Sequence, residues 1–124
     1  MFDSHAIPLG GEGLEPWPVT SEELEGSEMF GRMLWRSDDG TRASGVWHAT
    51  PGVIRGTFLT DEVSYVVEGR LTVVTGPTDA ADRPVREIGS GDVMVMTAGT
   101  TVEWTIHEPM TKLWNIYAAD GLPL

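Results

Sequence analysis

The sequence predicts an all-β fold, a sandwich or barrel preceded by an N-terminal arm. Short β-branched and aromatic runs recur from Met29 onward, Gly, Pro and Asp-Gly pairs punctuate them at even spacing, and hardly any helical period follows residue 28. The 124 residues suffice for one core and not for two independent ones. The division expected is an arm with the first hairpin strand over residues 1–40 and a β-barrel domain over residues 41–124.

The arm is rich in Gly and Pro up to Pro18. Thr20 or Ser21 followed by Glu23 resembles a helix N-terminus, so one helical turn is expected there. Trp17 lies between two prolines, and a large ring so placed packs over a core edge or against a second subunit.

Met33–Arg36, the Ser37–Gly40 turn and Thr41–His48 read as a β-hairpin, with Gly40 supplying the positive φ that its corner needs. After the Pro51-Gly52 turn, Val53–Leu59 is a strand. Asp61–Thr75 then holds two β-branched runs hinged at Gly69, the composition of a strand, a tight corner and a returning strand. Val85–Ile88 and Val93–Met96 are short strands flanking the Gly89-Ser90-Gly91-Asp92 turn. Val102, Trp104 and Ile106 alternate with Glu103, Thr105 and His107, giving that strand one apolar and one polar face. Pro109 is expected to break it, and Lys112–Ala118 closes the set.

The net charge of −11, with only eight Lys and Arg, argues against nucleic acid or an anionic membrane as partner. Cysteine is absent, which removes disulfide and thiolate chemistry and fits a reducing compartment. The N-terminal residues lack the basic and apolar regions of a secretory leader, and no apolar run is long enough to span a bilayer as a helix. The expectation is a soluble cytoplasmic protein. A homodimer is expected, because a small barrel with exposed aromatic rings and an extended arm completes its surface with a second copy, by strand or arm exchange.

Five pieces occur in order across more than half of the chain: Gly45-Val46-Trp47 with Pro51-Gly52; Asp61-Glu62 through Tyr65-Val66-Val67-Glu68-Gly69; Gly91-Asp92-Val93-Met94; Gly99 to Trp104; and Lys112. With them the chain resembles a small cupin. It looks like the group that holds ureidoglycine aminohydrolase-like domains and the cupin domain of the ethanolamine-utilisation Q protein. The resemblance implies an RmlC-like jelly-roll β-barrel, whose corners fall at Gly69, Gly91 and Gly99. The metal-binding pattern of the superfamily places two His on one strand, a Glu four or five positions on, and a third His after the second glycine-rich turn. Here the first two fall on Arg55 and Thr57, or on Gly56 and Phe58 with a gap one shorter, and the third on Val102. Glu62 alone matches. One carboxylate does not hold a transition metal, so neither a metal nor another cofactor is expected.

The candidate site is the barrel mouth. Glu62 is read either as a general base or substrate anchor, or as a structural acid paired with Arg55 or hydrogen-bonded to the next strand. Arg55 either clamps an anionic ligand or only neutralises Glu62. Thr57, Tyr65, Trp104, Met96 and Trp114 are the candidate lining, with core packing as the alternative for the aromatic residues. His5, His48 and His107 are scattered and read as solvated, and Lys112 reads as a family position or as edge protection. Three functions stay open: a metal-free protein that binds a small polar or anionic metabolite, a metal-free enzyme with Glu62 as acid and base, and a metal-dependent aminohydrolase-like enzyme.

Overall fold

The computed structural model describes residues 14–16, 23–77 and 79–123. Among them every regular element is a strand: β1 Glu15–Pro16, β2 Glu23–Glu25, β3 Met29–Arg36, β4 Arg42–Ala49, β5 Gly52–Thr57, β6 Asp61–Thr75, β7 Val85–Gly89, β8 Val93–Met96 and β9 Thr101–Tyr117. All pairings are antiparallel.

Two long strands organise the sheet. β6 and β9 run beside each other over their whole lengths, from Asp61 opposite Tyr117 to Thr75 opposite Val102. On its far edge β6 carries β8 and then β7, while β9 carries β5 beside its first half and β4 beside its second. β3 and β1 continue beyond β4, and β2 lies beyond β5. The curled antiparallel sheet forms a half-barrel. Its concave face buries Trp47, Ile54, Val66, Leu71, Val73, Met94, Val102, Trp104, Ile106, Met110 and Trp114.

Three expectations about elements are corrected. The two runs around Gly69 do not form a hairpin; they are one strand that bends where the β6–β9 register shifts, between Glu68 and Arg70. Gly69 has φ +102°, and a Cβ there would lie 2.5 Å from Met110 Cα, so the bulge needs glycine. Pro109 likewise does not end its strand. β9 passes through it at the same bulge, where a residue without an N–H leaves no ladder bond unmade, and its neighbour on the other edge changes from β5 to β4. Finally, Glu23–Glu25 is a strand on the edge of β5, not part of a helical turn, and Glu25 bonds Arg55 across that pairing. Trp17, Thr20, Ser21, Glu22 and His5 lie outside the described residues.

The first hairpin forms as its turn residues direct. Gly40 takes φ +73°, and Asp39 accepts hydrogen bonds from Ser37 Oγ, Thr41 N and Thr41 Oγ1. The Thr41 and Ser37 hydroxyls hold the Asp39 carboxyl at a pKa of about 2, below the usual carboxylate range.

Candidate functional site

The corner between β5 and β6 and the corner between β8 and β9 are tied together at one end of the half-barrel. Phe58 donates its N–H to Thr100 O at 2.9 Å and accepts from Gly99 N at 2.8 Å, while Asp61 Oδ1 accepts from Ala98 N at 2.9 Å. Just inside these corners Glu62 opens β6, with Met96 opposite on one side and Ile116 on the other.

The Glu62 carboxylate accepts a hydrogen bond of 2.6 Å from Lys112 Nζ. Both side chains are nearly removed from water, at 11% and 6% exposure. Lys112 stands on β9 between Trp47 and Val66. Its ammonium lies 4.6 Å from the Trp104 ring centroid, 4.8 Å from that of Trp47 and 6.0 Å from that of Phe58. Trp47 meets Trp104 edge to face at 5.5 Å, and Phe58 leans on Trp104 at 6.0 Å. The result is an aromatic box around one cation with one carboxylate in its wall. An aromatic face attracts a cation through its quadrupole, more strongly when water is excluded. Trp104 Nε1 is buried in the same wall without a hydrogen-bond acceptor among the described residues.

The structure brings together Glu62, Trp104, Met96 and Trp114 of the sequence candidates, all on the concave face. It separates Arg55, Thr57 and Tyr65 from them. Arg55 lies on the convex face, where its Nε donates to Glu103 at 3.0 Å and its Nη1 to Glu25 at 3.2 Å; the Glu103 bond and then the Glu25 bond favour its charged form. The expected Arg55–Glu62 pair is therefore replaced by Lys112–Glu62. Thr57 faces Thr101 on that same outer side, at 3.3 Å between hydroxyls. Tyr65 is half-exposed between Val93 and Leu113, three positions along β6 from Glu62, and so points through the opposite face of the sheet.

Lys112 is the residue that sequence reasoning undervalued. It does not guard an edge: it is buried on a central strand. One signal was available, because it is the sole lysine in the chain, every other basic side chain apart from histidine being Arg. Lysine is ordinarily the most surface-bound of residues, so one buried among Trp side chains is unusual. The histidines are less solitary than expected. His48 Nδ1 is 2.9 Å from Thr111 Oγ1, whose hydroxyl donates to Glu68, and His107 Nε2 is 2.7 Å from Thr72 Oγ1.

A family profile described as the EutQ-like cupin domain matches residues 36–114, a span that holds Trp47, Phe58, Glu62, Trp104 and Lys112. The chain belongs to the EutQ-like cupin family. No curated protein sequence matches this cupin. Among solved structures, the cupin is similar to a putative ethanolamine utilization protein Q from Salmonella typhimurium LT2, at 22% identity over 74% of this chain and 71% of that one, with a TM-score of 0.61. It is also similar to a protein of unknown function from Rhizobium leguminosarum bv. viciae 3841, at 23% identity over 94% and 98% of the two chains and a TM-score of 0.64. A DUF861 family protein from Thermotoga maritima shares 25% identity over 58% of this chain and 76% of its own, with a TM-score of 0.52.

The described donors around Glu62 do not fit a transition metal. Among the described residues no three of His, Cys, Asp and Glu converge on one point. At Glu62 the nearest charged neighbour is itself a cation, hydrogen-bonded to the carboxylate that a metal would need. Among the described residues no helix is long and apolar enough to cross a membrane.

Proposed function

We propose that this cupin binds a small polar or anionic metabolite at the Glu62–Lys112 end of the half-barrel, without a metal. The observation that carries this reading is the buried ion pair inside the box of Trp47, Trp104 and Phe58. Lys112 offers positive charge, Glu62 an acceptor, and Trp104 Nε1 a donor without a partner among the described residues. Few convergent polar groups in an aromatic wall are the ordinary make-up of a small-ligand site. A metal-dependent aminohydrolase would need a cluster of donors that is absent among the described residues. Absence of cysteine supports a place in the cytoplasm.

The test is calorimetry of the wild type and Glu62→Gln against a panel of small mono- and dicarboxylates. At least one is expected to bind, and Glu62→Gln, which removes the carboxylate competing for Lys112 and its repulsion of the ligand, to tighten it by about tenfold. A panel without heat for either protein would remove the reading.

We further propose a homodimer that meets through one apolar row. Val95 and Val93 on β8, Val63 and Tyr65 on β6, and Leu113 on β9 stand side by side on the convex face, and the first four are 67%, 57%, 47% and 46% exposed. Two copies each carrying −11 repel unless they meet through uncharged surface, and this row is uncharged. A second copy is the occupant that the charge argument favours, in an isologous dimer. Val95→Asp should then convert a dimer to a monomer in light scattering at micromolar concentration; a wild-type monomer would rule the dimer out.

A further inference from the structure

The Glu62–Lys112 pair has the parts of a covalent carbonyl site. We propose that Lys112 condenses with a small aldehyde or ketone to form an iminium, with Glu62 carrying the proton. This rests on the reading of that end of the half-barrel as a ligand site and adds a bond to it.

A lysine amine attacks carbonyl carbon only when deprotonated, and it needs a base in contact and surroundings that do not hold the charge by hydration. Glu62 Oε2 at 2.6 Å is that base, and the 6% exposure of the Lys112 side chain removes most hydration. Phe58 and Met96, half-buried side chains, border the pair at this end.

The step then balances. Glu62 takes one proton from the ammonium, and the amine lone pair forms the C–N bond as the carbonyl π pair moves to oxygen. A second proton, from the nitrogen, passes to that oxygen, and Glu62 returns the first, so the oxygen leaves as water. Ammonium plus carbonyl gives iminium plus water, with Glu62 again a carboxylate. The net charge of the pair is the same before and after. The Trp47 and Trp104 faces at 4.8 and 4.6 Å therefore favour the product cation as they favour the ammonium. No oxidant or metal is required.

The 124 residues suit a direct test, because Lys112 is their sole lysine and peptide mapping tells an adduct there from one on an α-amine. The native protein is incubated with glyoxylate or pyruvate, reduced with borohydride, and analysed by intact mass and peptide mapping. One reduced adduct per chain on Lys112 is expected with at least one of the two. Lys112→Arg should abolish it, and Glu62→Gln should slow its formation by about a hundredfold, the scale of a general acid–base group. Should Glu62→Gln not fold, the wild-type map and Lys112→Arg still decide. Modification confined to the α-amine overturns the proposal. If small carboxylates bind in calorimetry while neither carbonyl compound traps, the covalent step falls and the ligand site stands; if nothing binds and nothing traps, both fall.

Discussion

Lys112→Met is expected to lower the unfolding free energy by ~3–5 kcal/mol, the usual range for breaking a buried ion pair from one side. Methionine fills most of the volume of the lysine stem, so the loss does not come from a cavity. It comes from Glu62, whose carboxylate at 11% exposure is left with no cation and little water. The companion chain Glu62→Leu with Lys112→Met removes both charges together. It should recover to within ~1 kcal/mol of the wild type, since well-packed apolar groups replace a buried pair at little net loss. Urea midpoints at constant slope would measure both. Equal losses in the single and double variants would show that packing around the box, and not the unpaired carboxylate, sets the penalty.

Gly45→Ala should destabilise by about 3 kcal/mol, at the upper end for an overpacked interior. Gly45 lies opposite Trp114 on β9, and an added Cβ would overlap both the Trp114 indole and the carbonyl oxygen of Arg32. Trp114 is 3% exposed and cannot swing into solvent without opening the core. Neither can Arg32 O retreat while β3 stays paired to β4. A double-mutant cycle with Trp114→Leu separates the two clashes. If the indole is the harder wall, Gly45→Ala becomes milder by ~1–2 kcal/mol when Trp114 is Leu, a coupling of the size that contacting residues show. Additive losses would place the strain on the β3 carbonyl.

These two variants probe opposite sides of what could be read from residue order. The alternation of Val102, Trp104 and Ile106 with Glu103 and Thr105 sends the first three into the core, as a period of two requires. The Asp39-Gly40 turn and the corners at Gly91 and Gly99 fall where the residues place them, each glycine with positive φ. Glu62 and Trp104 both approach the Lys112 ammonium. Arg55 does not, although it lies only seven positions before Glu62. Strand β5 ends at Thr57 and β6 begins at Asp61, and the corner between them does not transmit in-out parity. Counting across it therefore says nothing about which face Arg55 shares. Tyr65 lies on the same unbroken strand as Glu62, and there parity alone would have separated them.

Residue order determined the class of this protein: sheet runs, turn glycines and a lone carboxylate among vacant ligand positions, all of them local properties of a few neighbouring residues. Tertiary structure decided that β6 and β9 bend without ending, because each bulge is stabilised by the strand beside it. It also decided the partner of Glu62. Lys112 lies fifty residues away, and only the lateral pairing of β4, β6 and β9 brings its ammonium to that carboxylate and walls it with indole. Contacts across strands depend on register, and register is set by the whole sheet together.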